Sequence, residues 1–266
     1  MNDTNTNKPA TMGRLLVIPT PLDFGCAPEL IAPIAQVLPE HTIAAAAATT
    51  HWISENAKST RAFLSRVHAH TPLACAMQDM HIQVLPRDAH KSGDHQVSAL
   101  DTQAKAWLAP ALQGFDVALV SEAGMPAIAD PGSSVVRAAH AMGLAVVPLS
   151  GPVSLMLALA ASGLNGQQFA FVGYLKKGAE LSAHIKSLEA TALKTGQTQI
   201  CIETPYRNAQ LLQALITTLS PNTRLAVACG LAVDAQVISQ TVAQWRDKAK
   251  QGLPSFDLPA VFLWGA

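Results

Sequence analysis

The chain has 266 residues, 49% of them hydrophobic, and its 18 basic and 18 acidic side chains cancel to a formal net charge of zero. That size and apolar content support a sizeable core, in one large domain or two modest ones. Neutrality leaves no global field to concentrate a polyanion, so nucleic-acid binding would need a local patch, and no uninterrupted apolar run reaches the ~18 residues of a membrane span.

Residues 1–11 (MNDTNTNKPAT) are polar and lack the apolar centre of a signal peptide, so they read as a disordered tail of a cytoplasmic protein. Residues 15–19 (LLVIP) form an apolar opening strand. WISENAKSTRAFLSRV is amphipathic, with Ile53, Ala57, Thr60, Phe63, Leu64 and Val67 near helical spacing and Ser54 or Ser59 available as caps. The polar, turn-rich run at 86–93 (PRDAHKSG) reads as a mobile loop at the mouth of a site, and a helix resumes over residues 101–112.

Residues 120–173 are the most informative. A strand-length apolar run at 115–120 (FDVALV) stops abruptly in Ser121-Glu122-Ala123-Gly124-Met125-Pro126. Asp130-Pro131-Gly132 then opens a helix, with Asp130 in the N-cap position, Pro131 at the first helical position and Gly143 as the stop. Residues 145–149 (AVVPL) supply the next strand, and Ser150-Gly151-Pro152 opens a second helix through LMLALAASG. This alternation argues for a parallel α/β sheet, in which ligands sit beyond the carboxyl ends of the strands, where both glycine/proline loops fall. No GxGxxG follows a strand and no GxxxxGK[ST] occurs, so a dinucleotide or nucleoside triphosphate lacks its usual cradle.

In the second half, TQICIE (198–203) is a strand ending at Thr204-Pro205, NAQLLQALITTL is an amphipathic helix, RLAVACGLA (224–232) is a strand, and LPAVFLWG (258–265) closes the sheet. A domain boundary falls near residues 148–152. Cys26, Cys75, Cys201 and Cys229 keep no CxxC spacing and read as buried free thiols. The nine histidines are scattered without ligand spacing, so no metal is expected. Local basic groups stand at Lys58, Arg61 and Arg66, at Lys176-Lys177, and at Arg246, Lys248 and Lys250; each is either a solvated face or part of an RNA patch.

Several blocks, taken in order, resemble one family. They are IPTPLDFG (18–25), SEAGMPAIADPG (121–132), PLSGPVSLMLALAASGL (148–164), FAFVGYL (169–175), IETPYRN (202–208) and LPAVFLWG (258–265). The chain thereby resembles the class III, tetrapyrrole-methylase-type S-adenosylmethionine-dependent methyltransferases, most closely their small-subunit ribosomal RNA branch. The resemblance implies two α/β domains, at 12–150 and 151–266, with S-adenosyl-L-methionine folded into a cleft between them, usually in a homodimer. It places the cofactor against Pro19, Thr20, Pro21, Glu122, Ala123, Gly124, Pro126, Ser150, Gly151, Pro152, Pro259 and Ala260. The cofactor carries no phosphate, so missing phosphate motifs agree with it.

The chain also departs from the pattern. The PTPIGN loop becomes Pro19-Thr20-Pro21-Leu22-Asp23-Phe24, the A-E-D-T-R block is replaced by the alanines at 44–48 and then Thr49-Thr50-His51-Trp52, and the R-E-L-T-K block by Cys229-Gly230-Leu231-Ala232-Val233. Glu122 stands for an aspartate and Met125 for a threonine. The acceptor implied is RNA, at a ribose 2′-hydroxyl, or else a small or tetrapyrrole-like molecule; a paralogue that binds the cofactor without catalysis is the alternative. Asp23, Glu122, Glu203 and Tyr206 are the candidates for a proton acceptor, and Arg207 for orienting a phosphate or closing the cleft.

Overall fold

A computed structural model describes residues 11–23, 25–86, 94 and 98–266, with the backbone alone at 98 and 99. These form two compact units, one of the described residues among 11–23 and 32–152, the other of 25–31 and 153–266.

The first unit is a parallel sheet of β1 (Leu15–Val17), β2 (His51–Ser54), β3 (His81–Val84), β4 (Val117–Val120) and β5 (Val146–Pro148), in the order β3-β2-β4-β1-β5. The central strands β1 and β4 are apolar at every position and buried throughout, as strands covered on both faces must be. Helices α1 (Glu40–Ala48) and α2 (Ala57–His70) cover one face, where Leu16, Ile18, Ala118 and Val120 meet Ile43, Ala46, Phe63, Leu64 and Val67. Helices α3 (Ser98–Leu108) and α4 (Ser133–Ala141) cover the other, where Leu15, Val17, Val117 and Leu119 meet Ala104, Leu108, Val135, Ala138 and Ala139. Successive side chains of one strand thus enter opposite cores. The chain leaving β1 runs to α1 and that leaving β4 runs to α4, so two adjacent strands send their connections to opposite faces. Sheets of this kind bind ligands at such a point.

The second unit holds β6 (Phe169–Phe171), β7 (Thr198–Glu203), β8 (Arg224–Cys229), β9 (Gln236–Thr241) and β10 (Ala260–Gly265), in the order β6-β7-β10-β8-β9. Helix α5 (Ser154–Ser162) packs Leu155, Ala158 and Leu159 on Ile200, Ala226, Val261 and Leu263. Helices α6 (Leu181–Thr195), α7 (Asn208–Thr218) and α8 (Val242–Ala249) pack Ile185, Leu212, Leu215 and Trp245 on Phe262 and Trp264. Each fully buried Leu or Ile contributes about 2 kcal/mol. Among the described residues no helix is long and apolar enough to cross a membrane.

The expected parallel sheet holds for the first unit; in the second, for which the sequence analysis gave no strand direction, only β6 and β7 run parallel. Strand β10 does not close the sheet at an edge. It lies antiparallel between β7 and β8, because β8 and β9 form a hairpin and α8 returns the chain to the middle. The expected helix over WISENAKSTRAFLSRV is divided: residues 51–54 are β2, and Asn56, not Ser54 or Ser59, caps α2 by accepting from the Lys58 amide at 2.9 Å. The helix expected over residues 101–112 ends earlier, passing into a tight 3₁₀ turn at Ala109–Gln113 that contains Pro110. Cys201 and Cys229 are buried, but Cys26 and Cys75 are half-buried. Residues 1–10, and 87–93 of the turn-rich run, lie outside the described residues.

Candidate functional site

Three loops of the first unit, following β1, β4 and β5, knit together. The Thr20 amide donates to the Gly124 carbonyl at 2.9 Å and the Gly124 amide to Thr20 at 3.0 Å, a one-residue antiparallel bridge. The Thr20 hydroxyl adds a bond to the Ser121 carbonyl at 3.3 Å, and from α1 the Thr42 hydroxyl holds the Ser150 carbonyl at 2.8 Å. Gly124 has φ +81°, the left-handed region that favours glycine, and its missing side chain leaves Leu22 and the Pro152 carbonyl close by. Gly151 touches Pro19 so closely that no side chain fits. Pro19, Thr20, Pro21, Glu122, Ala123, Gly124, Pro126, Ser150, Gly151 and Pro152 therefore stand on three neighbouring loops, with Pro19, Thr20, Pro21, Gly124 and Pro126 buried and Ser150 exposed.

Polar groups gather at this edge. Asp23 is buried; one carboxylate oxygen takes Arg66 Nη1 at 2.9 Å, while Oδ2 meets no hydrogen-bond partner among the described residues. Arg66 also donates to the Ala32 carbonyl, so it is a structural cation and not part of an RNA patch. At the end of β2, Glu55 accepts the Glu122 amide at 3.0 Å. Asp130 lies beside them: burial, then the charges of Glu55 and Glu122, push its carboxyl up to about 7 against a lowering hydrogen bond from Ser121. The sequence reading does not single out Glu55 and puts the replacement of the A-E-D-T-R block at the alanines of 44–48 and Thr49-Thr50-His51-Trp52. Those alanines lie in α1, with Ala46 and Ala47 packed in the core. A signal existed, since a Ser-Glu pair stands at the carboxyl end of both β2 and β4, at Ser54-Glu55 and Ser121-Glu122.

Asp130 is not the helix cap. Helix α4 starts at Ser133 behind Gly132, and the carboxylate at its N-terminus is Asp94, which accepts from the Gly132 and Ser134 amides, both at 2.9 Å, and from the Ser133 and Ser134 hydroxyls. A helix N-terminus attracts an anion, and the side chain with the reach came from a distant segment. Between the two clamps, Ala127 and Ala129 are held at φ +64°.

The remaining candidates belong to the second unit, at one edge of its sheet. Glu203, the last residue of β7, accepts from the Thr204 amide at 2.9 Å and pairs with Arg207 at 3.3 Å, so the expected anion-orienting arginine already has a carboxylate. Ala260, the first residue of β10, lies in register between Glu203 and Cys229, and the Gly230 amide holds the Pro259 carbonyl at 3.2 Å. Asn208, which the sequence did not single out, donates to the Phe256 and Leu258 carbonyls at 2.8 and 2.9 Å and so fixes the segment before Pro259. Tyr206 is 85% exposed, a position suited to contacting a partner rather than to a desolvated base. Arg246 donates to the Ile216 and Leu219 carbonyls at the end of α7, which removes it from the candidate RNA contacts.

The family model for tetrapyrrole (corrin/porphyrin) methylases matches residues 39–244, more than half of the chain. The chain belongs to the tetrapyrrole methylase family. The matched tetrapyrrole methylase span takes in β2–β9 and leaves β1, the Pro19–Pro21 turn and β10 outside it. The ribosomal RNA small subunit methyltransferase I of Vibrio cholerae is 38% identical over 117 residues, covering 44% of this chain and 40% of that protein. The protein of the same name from Xylella fastidiosa is 39% identical over 127 residues, covering 48% and 45%. The alignments thus span less than half the length of these relatives, and less of this chain than the blocks between Ile18 and Gly265 implied. The solved uroporphyrin-III-C-methyltransferase of Thermus thermophilus is 15% identical, with 95% of this chain and 94% of that one covered and a TM-score of 0.45.

Proposed function

We propose that this tetrapyrrole methylase chain is an S-adenosylmethionine-dependent methyltransferase whose acceptor is RNA, at a ribose hydroxyl. The observation that carries the reading is the knitting of the Thr20, Gly124 and Gly151 loops at the carboxyl ends of β1, β4 and β5. Backbone groups and small or apolar side chains dominate these loops, which suits a ligand without phosphate. Oδ2 of buried Asp23, which has no hydrogen-bond partner among the described residues, is an acceptor for a hydroxyl or ammonium donor, and S-adenosylmethionine has both.

The residues of the first unit that would hold the cofactor are the ten on the three loops. Bound there, S-adenosylmethionine supplies an electrophilic methyl group. The protein's part is then to align an acceptor oxygen and exclude water. A departing hydroxyl proton needs an acceptor. Asp23 and Glu203 each commit an oxygen to an arginine, whereas Asp130 has a proton affinity centred near neutral pH.

RNA is favoured over a tetrapyrrole because relatives matched over part of the chain are named as ribosomal RNA methyltransferases. A cytoplasmic location goes with that acceptor. A homodimer is supported by α5, which buries Leu155 and Leu159 on one side and exposes Met156 and Leu157 on the other.

Calorimetric titration with S-adenosylmethionine and S-adenosylhomocysteine tests the reading. Saturable micromolar binding, followed by transfer of labelled methyl groups to ribosomal RNA, is expected. Binding without transfer to RNA or metabolite pools would mark a degenerate paralogue, and no binding would remove the cofactor.

A further inference from the structure

Among the described residues, five aromatic side chains stand exposed, and four of them, Phe169, Phe171, Tyr174 and Tyr206, lie on or just beyond β6 and β7. The two tyrosines are the only ones in the chain, and they are 56% and 85% exposed. Strands β6 and β7 run parallel, and the Ile202 amide donates to the Gly173 carbonyl at 3.3 Å. The turns carrying Tyr174 and Tyr206 therefore leave the same edge of the sheet side by side.

Each tyrosine has cations beside it in the chain, Lys176 and Lys177 after Tyr174 and Arg207 after Tyr206. Most of that charge is already answered. Lys176 pairs with Glu180 at 2.9 Å and Arg207 with Glu203 at 3.3 Å. A surface that binds duplex nucleic acid needs a track of uncompensated cations for the phosphates. One that binds unpaired strands adds aromatic faces to its cations, because every base has a face to stack. Exposed rings beside a few cations fit the second kind.

We propose that Tyr174 and Tyr206 form a stacking platform for unpaired bases of the acceptor RNA. The proposal rests on the RNA reading above and deepens it by assigning the surface. Recognition by stacking, with few phosphate contacts, also explains how a chain of zero net charge could engage a polyanion.

The test is fluorescence anisotropy with a labelled single-stranded RNA of mixed sequence and with the same strand annealed to its complement. The wild-type chain should prefer the single strand, with a log–log salt slope of only about −1 to −2. The Tyr174→Ala/Tyr206→Ala variant should lose about tenfold or more in affinity, and Tyr174→Phe/Tyr206→Phe should restore it. Melting temperature and S-adenosylhomocysteine affinity serve as controls for the fold and the cofactor site. Unchanged RNA affinity in the alanine variant overturns the platform, as does a preference for duplex. Unchanged RNA affinity together with loss of self-association in sedimentation would instead make this edge a contact between copies. A wild-type chain that binds S-adenosylhomocysteine but no RNA sinks the platform and spares the cofactor reading. Tyrosine-dependent RNA binding without S-adenosylhomocysteine binding does the reverse.

Discussion

Gly151 lies against Pro19 so tightly that a Cβ on residue 151 would sit 2.3 Å from the proline Cγ, with Leu38 Cδ2 a further 3.0 Å contact. Neither ring nor backbone can give that distance back cheaply. Gly151→Ala should therefore push the loops after β1 and β5 apart, at a cost of roughly 1 to 3 kcal/mol in stability, and weaken S-adenosylhomocysteine binding well beyond tenfold. Calorimetry below the melting transition checks it, and wild-type affinity in that variant would detach these loops from the cofactor.

Asp94 is buried and its carboxylate is met by two amides and two hydroxyls. Burial by itself would raise its proton affinity, but the donors of Ser133, Ser134 and Gly132 outweigh burial and hold it below the ordinary value. A depressed native pKa means stability that is present above the unfolded value and lost as pH falls through the native one. Asp94→Asn should cost about 1 to 3 kcal/mol at pH 7, with the deficit shrinking on the acid limb. Denaturant titrations at pH 7 and pH 3 measure both.

Asp130 behaves in the opposite sense. Its native pKa, about 7, lies above the unfolded value of 3.8, so the folded state binds the extra proton between them. Its contribution is complete below the unfolded pKa and is lost as pH rises through the native one. Because the group is only partly buried, Asp130→Asn should stabilise the protein by roughly 1 kcal/mol at pH 8 and by less at pH 5. Equal effects at the two pH values would show that burial and the neighbouring Glu55 and Glu122 do not raise its proton affinity.

Ala129 sits at φ +64°, a conformation that an L side chain resists. Ala129→Gly relieves about 1 kcal/mol of backbone strain while giving up a similar amount to the more flexible unfolded chain. The melting temperature should stay the same or rise, where alanine to glycine elsewhere lowers it.

How much could be read beforehand depended on how local the cause was. The runs at 15–17 and 117–120 were legible as strands because a parallel strand buried on both faces must be apolar at every position. The loops after them were legible because proline and glycine mark where the chain must turn. Asp130 misled because Asp-Pro-Gly before a helix imitates a local cap, while the carboxylate that caps α4 comes from 38 residues earlier. The place of β10 misled for a similar reason: nothing in LPAVFLWG records which strands lie beside it.

The sequence by itself determined the strands β1, β4 and β5, the helices α4 and α5 that follow them, and the resemblance carried by the blocks, because these follow from side-chain period, propensity and order along the chain. Only the tertiary structure decided that Thr20 pairs with Gly124, that Asp94 takes the end of α4, and that burial beside Glu55 and Glu122 raises the proton affinity of Asp130. Those outcomes depend on strand order, which brings residues separated by many tens of positions to one edge, and hydrophobic periodicity carries no record of which strand lies beside which.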